Sequence, residues 1–219
     1  MDFTQFLTVL PVLLMSVVIH EVAHALVAKW EGDDTAYRLG RITLNPIPHL
    51  DLMGSFAVPL ILFFAPGNFI FGWAKPVPVN PNNYRHYVSG DIKVSLAGIV
   101  SHLILAVLFT LLLGVLQFMG ARVGYGGIIS VLSQAAYFGL YINLILAFFN
   151  LIPIPPLDGS HVVYHLLPKD LRARYREFGR YGIGVIMLLL FVLPQGFSLL
   201  MAPVEFLVNL AMTFVGLWA

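Results

Sequence analysis

His20, Glu21 and His24, in the pentad His20-Glu21-Val22-Ala23-His24, stand within a long apolar run, Phe3 to Trp30. Ionisable side chains at membrane depth are rare and need a functional reason. Two histidines four apart share one helix face, so their ring nitrogens can converge on one Zn²⁺. Glu21, beside the first of them, is placed to take the proton of an attacking water. A catalytic zinc keeps three protein ligands and one open position, and the pentad supplies two. The best third candidate is Asp158, in Asn150-Leu151-Ile152-Pro153-Ile154-Pro155-Pro156-Leu157-Asp158-Gly159, directly after another apolar run. Its three prolines force a non-helical path, which near a membrane is tolerated only where protein buries it or it lines a wet cavity. Gly159 would let the backbone pass close to the metal.

The elements that must position these groups belong to a membrane protein. The chain has 219 residues, 59% hydrophobic and 11% charged, with a mean hydropathy of +0.87, whereas soluble domains carry about one quarter charged residues. The net charge of +1 gives no reason to expect nucleic acid, and the absence of cysteine excludes disulfides and thiolate metal sites. Without a basic start or a small-residue cleavage site, the first run does not read as a removable signal peptide. Apolar runs predict helices at Phe3 to Trp30, Asp91 to Gly120, Ile128 to Asn150, Tyr181 to Met201 and Pro203 to Trp218. The run Leu52 to Ala65 carries Gly54 and Pro59 and falls short of the about 20 residues that cross a bilayer, so it reads as re-entrant.

The expected fold is an all-α polytopic membrane protein, a single domain over residues 1–219 with five to six apolar helical segments including the re-entrant run. Weak alternation over Arg38 to Asn45 predicts a short β element near the membrane face. Pro76, Pro78 and Pro81 make Trp73 to Asn83 an extended loop. With a spanning Leu52 to Ala65, the twelve Lys and Arg divide eight to four; with a re-entrant one, eleven fall on one side and only Arg122 on the other. The lopsided arrangement fits the positive-inside rule and puts the N-terminus outside and the active site towards the cytoplasm of a plasma membrane. It also makes the first helix and the Ile128 to Asn150 helix parallel, so that their C-terminal halves reach one depth. Lys169, Arg172, Arg174, Arg176 and Arg180 form a basic segment suited to anionic headgroups.

The pairing of HEVAH with NLIPIPPLDG resembles the site-2 protease family of intramembrane zinc metalloproteases, in its short prokaryotic branch without a PDZ domain. Leu44-Asn45-Pro46-Ile47-Pro48-His49-Leu50-Asp51 and Gly72-Trp73-Ala74-Lys75-Pro76-Val77-Pro78-Val79-Asn80-Pro81 also look like that branch, in the expected order. The resemblance implies one zinc held by His20, His24 and Asp158, Glu21 as catalytic base, and Asn150 holding substrate or a developing oxyanion. It implies transmembrane protein substrates within a lipid bilayer, and a homodimer stays open. One departure is Ala97-Gly98-Ile99-Val100-Ser101-His102, where the family usually shows Gly-Pro and a downstream Asn.

Each reading has a plainer rival. Asp158 could only turn the chain, as Asp-Gly often does, and Asn150 could bond its own helix backbone. His49 and Asp51 read as turn-stabilising groups in preference to a second metal site, and His102 as a helix-packing hydrogen bond. His86, His161 and His165 read as interfacial, and Gly54, Gly98 and Gly114 as close-packing positions. The Pro76 to Pro81 loop is a candidate edge for pairing with an unwound substrate. An inactive scaffold of the same fold and a metal transporter remain as alternative functions; a transporter would show inverted repeats and ligands along a route.

Overall fold

A computed structural model describes residues 3–64, 72–192 and 194–218. Nine α-helices are present among them: α1 Phe3–Glu31, α2 Thr35–Arg38, α3 Val58–Phe64, α4 Tyr87–Val123, α5 Ile128–Leu151, α6 Gly159–Leu166, α7 Lys169–Phe178, α8 Gly182–Phe191 and α9 Pro194–Gly216. Among the described residues, four segments are long and apolar enough to cross a membrane: α1, α4, α5 and Leu199–Gly216 of α9. At 1.5 Å per residue, the 37 residues of α4 extend about 55 Å, well beyond about 30 Å of hydrocarbon.

Helix directions follow from which residues meet. Lys93 pairs with Glu31 at 2.8 Å, His24 reaches Val94 O, and His20 stacks on His102, so α1 and α4 are antiparallel. His102 bonds Asn143, and Ala106 clusters with Leu140, so α4 and α5 are antiparallel as well. Helices α1 and α5 are therefore parallel. The main core unites Ala106 of α4, Leu140 and Leu144 of α5, Ile152, and Met201, Val204 and Val208 of α9.

The chain between α1 and α4 leaves and returns at one end of the bundle, where Arg85 N donates to Glu31 O at 2.6 Å. Within it, a π-helical turn Leu52–Ala57 leads into α3. Together they reach about 20 Å, too short to span. They run beside the N-terminal half of α1, where Phe63 meets Phe6 and Phe3 at ring separations of 4.8 and 6.2 Å. The end of the apolar run, at Ala65, lies outside the described residues.

Two expectations are corrected. Arg38 to Asn45 forms no strand, and none occurs among the described residues. Its backbone finds other partners: Arg41 N donates to Ala36 O, Thr43 O meets His49 Nε2, and Asn45 N is bonded to Thr43 Oγ1. The expected helices Tyr181 to Met201 and Pro203 to Trp218 are also divided differently. The break falls between Phe191 and Pro194, and Pro203 lies inside α9. A proline at a helix start loses nothing, while one inside a membrane helix is tolerated when its surroundings re-satisfy the freed carbonyl. The basic segment from Lys169 to Arg176 lies on helix α7, which has no buried residue, and Arg180 falls in the 3-10 turn after it.

Asp33, 1% exposed just after α1, ties α1 to the segment that returns to α4. It accepts from Asn80 N at 2.6 Å and Asn83 Nδ2 at 2.8 Å. Burial pushes its carboxyl up, but these donors and the Thr35 hydroxyl outweigh it and hold the group below the usual carboxylate value. A depressed folded pKa stabilises the fold above the unfolded value of about 3.9 and ceases to do so as pH falls through the folded value. Asp33→Ala is therefore expected to lower stability by about 1–3 kcal/mol at pH 7. The gap from wild type in detergent thermal melts should narrow below about pH 4; a gap independent of pH would refute the assignment.

Candidate metal centre

Helix periodicity puts His20 and His24 on the face of α1 that meets α4 and the end of α5. Their Nε2 atoms lie 2.9 Å apart, and Asp158 Oδ2 is 3.4 Å from the first and 3.5 Å from the second. A tetrahedral ion with bonds of about 2.0–2.1 Å separates its ligand atoms by about 3.3 Å. The three atoms fit that spacing. Asp158 Oδ2 is buried without a hydrogen-bond partner, which a carboxylate does not sustain unless something else faces it. Among the described residues this is the single group of His and Asp or Glu close enough to hold an ion.

The supports differ from residue to residue. His24 Nδ1 bonds Val94 O at 2.7 Å, which leaves Nε2 to face the metal position. Asp158 is brought back to α1 because the chain turns after α5 through Ile154 N to Ile152 O and Leu157 N to Ile154 O. Gly159 serves this return by packing on the Leu151 carbonyl, where a Cβ would collide. Its close approach is thus to the end of α5 rather than to the metal, as the sequence had suggested. Glu21 Oε2 accepts from Val77 N at 2.7 Å, so the extended segment before α4 holds that carboxylate.

Other sequence candidates fall elsewhere. Asn150 Nδ2 donates to Leu146 O one turn back at 3.0 Å, and no hydrogen bond among the described residues joins it to the triad. His49, fully buried, bonds Thr43 O, and Asp51 accepts from Gly54 N, so each closes its own turn. His161 and His165 are not idle at the interface. Both bond Asp91 Oδ2, at 3.1 and 2.7 Å, and that carboxylate pushes the His161 imidazole up from its ordinary value against the effect of burial.

The extended segment is a poor pairing edge. Trp73, Lys75 and Val77 turn their N–H groups inward, to Gly54 O, His49 O and Glu21. The alternate positions that face the other way include Pro76 and Pro78, which have no N–H. A substrate strand would find acceptors there and hardly a donor.

Sequence reading missed the partners of the polar groups, above all Val77, Asn143 and Ser16. Asn143 did carry a signal, being an amide in the middle of an apolar helix. Gly98 is where α4 touches the site: a Cβ there would lie 2.5 Å from His20 Nδ1 and 2.6 Å from His24 Nε2. Gly98→Ala should cut bound zinc by about tenfold or more, while Gly114→Ala, 3.4 Å from Trp218 on the same helix, should leave it unchanged. Equal zinc content in the two purified variants would contradict this role of Gly98.

A profile described as Peptidase family M50 matches residues 123–193, which contain Asp158 and Asn150 but not the pentad. Three relatives share the name "Putative zinc metalloprotease". YwhC of Bacillus subtilis (strain 168) is 41% identical over 184 residues, 84% of this chain and 80% of that protein. Rip2 of Mycolicibacterium smegmatis is 30% identical over 188 residues, 84% of this chain and 67% of that protein. MJ0611 of Methanocaldococcus jannaschii is 28% identical over 151 residues, 67% and 63% of the two chains. No solved structure gives a significant match. With an imidazole pair and a carboxylate gathered inside a bundle of apolar helices, and with that extent of likeness to YwhC, the chain belongs to peptidase family M50.

Proposed function

We propose that this chain is a zinc-dependent intramembrane endopeptidase that hydrolyses peptide bonds in transmembrane segments of membrane-protein substrates. The observation that carries the reading is the convergence at tetrahedral spacing of His20 Nε2 and His24 Nε2, on a helix long and apolar enough to cross a membrane, with Asp158 Oδ2, in the turn that follows α5. His20, His24 and Asp158 are the ligands in this reading. A zinc ion held by them would supply Lewis acidity, lowering the pKa of a bound water towards about 7 and polarising a carbonyl. Glu21, adjacent to His20 and held by Val77 N, takes the water proton and returns it to the leaving amine. Asn150 is assigned the oxyanion contact, for which its amide exchanges Leu146 O for the substrate oxygen.

A cavity of about 200 Å³ beside α6 is lined by Asp91, Ser160 and His161, and in this reading it is the side from which water reaches Asp158. The likeness to site-2 proteases and the eleven basic residues towards one end support a plasma-membrane protein with its N-terminus outside and its site towards the cytoplasm. A metal transporter is the weaker reading, because among the described residues one ligand group occurs and not a series along a route.

Purified wild type should hold about one zinc per chain, and Asp158→Ala should lose both the metal and cleavage of a model transmembrane substrate. Glu21→Gln should keep the metal yet cut about 10²–10⁴ times more slowly. A cellular phenotype that survives Glu21→Gln would favour the inactive scaffold. A substrate helix has all its amides paired internally, so it must unwind before it is cut. Replacing Gly, Pro, Asn or Ser by Leu within a cleaved substrate helix should slow cutting in a gel-based assay; unchanged rates would remove unwinding from the mechanism.

A further inference from the structure

The two imidazoles of the candidate centre are held in different ways. His24 has the usual support, its far nitrogen bonded to Val94 O. His20 Nδ1 is buried, and its one neighbouring acceptor, the Gly98 carbonyl, is poorly aligned with it and shared with Ser101 Oγ, which donates to that oxygen at 2.7 Å. What faces His20 is another ring. His102 lies against it with centroids 4.7 Å apart and planes 29° from parallel.

His102 is itself fixed by a chain of hydrogen bonds whose directions can be deduced. Ser16 Oγ donates its one proton to Val12 O at 2.8 Å, so it can only accept from Asn143 Nδ2, 2.9 Å away. The second Nδ2 proton of Asn143 goes to Gly139 O at 2.8 Å. Asn143 therefore turns Oδ1 to His102, 2.8 Å away, and His102 must donate from Nδ1. Ser16, His102 and Asn143 are 1%, 1% and 0% exposed, so no water competes for these bonds. The chain starts on α1, crosses α5 and α4, and ends against His20 on α1 again.

We propose that His102 is a positioning residue of the metal centre: its stacked ring holds the plane of the His20 imidazole, which the poorly aligned Gly98 carbonyl alone does not fix, with Asn143 and Ser16 holding His102. The proposal rests on His20, His24 and Asp158 being the ligands. Rotation of the His20 ring about its Cβ–Cγ bond would swing Nε2 away from His24 and Asp158. The rigid neighbour opposes that rotation.

The test measures zinc affinity of the purified full chain by chelator competition, together with the absorption spectrum of the Co²⁺-loaded protein and the melting temperature of the metal-free protein. His102→Asn keeps an amide donor and loses the ring. It should bind zinc about 10–100-fold more weakly, with a shifted Co²⁺ spectrum and an unchanged metal-free melting temperature. His102→Phe keeps a ring face but gives up the bond to Asn143, so it should bind only a few-fold more weakly than wild type, with a spectrum closer to wild type than that of His102→Asn. Wild-type affinity in His102→Asn, or equal losses in both variants, would overturn the proposal. Ser16→Ala, at the far end of the chain, carries the test if neither folds: a few-fold weakening with a shifted spectrum supports it, and no change in either overturns it. Failure of wild type to bind zinc would instead overturn the ligand assignment.

Discussion

A polar group removed from water must find another polar group or an ion, and in a bilayer almost no water is available to make good a missing partner. The whole architecture answers to that demand. His24 is matched by Val94 O, Glu21 by Val77 N, and His102 by Asn143, each from a different segment. After this pairing, a carboxylate oxygen of Asp158 remains without a partner, and it faces the Nε2 atoms of His20 and His24. Among the described residues it is the one carboxylate oxygen buried without a partner, and a cation there would supply one.

Topology makes this convergence possible. Parallel α1 and α5, both antiparallel to α4, bring the second half of α1 and the exit of α5 to the same end of the bundle. The return of the chain from Glu31 to Arg85 at one end is what keeps α1 and α5 parallel. The same return lays Val77 against Glu21. Prolines on either side of Val77 stiffen that stretch, so the extended segment acts on the site as a fixed donor and offers little as a strand edge.

How much was legible depended on the reach of the forces involved. Helices α1 and α5 end within one residue of the sequence expectation, because long apolar runs and a following Gly or Pro cluster are local signals. The break before α9 was misplaced because Pro203 looks like a stop in water and is none in this membrane helix. The strand expected at Arg38 to Asn45 failed because its alternation was met by side-chain partners such as His49 and Asn45, which periodicity does not report. His161 and His165 looked like isolated interfacial residues, since Asp91, which joins them, is about seventy positions away in the chain.

From the sequence by itself came the lipid setting, the imidazole pair with its neighbouring carboxylate, and the third ligand candidate at Asp158. Those follow from composition and from the 3.6-residue repeat, which place side chains on a helix face without reference to anything else. Only the tertiary structure decided that Asp158 meets the pair, that Val77 holds Glu21, that Asn150 bonds its own helix, and that His20 leans on His102. The physical reason is that contacts between distant segments are set by the relative depth and rotation of packed helices, and a one-dimensional pattern does not encode either.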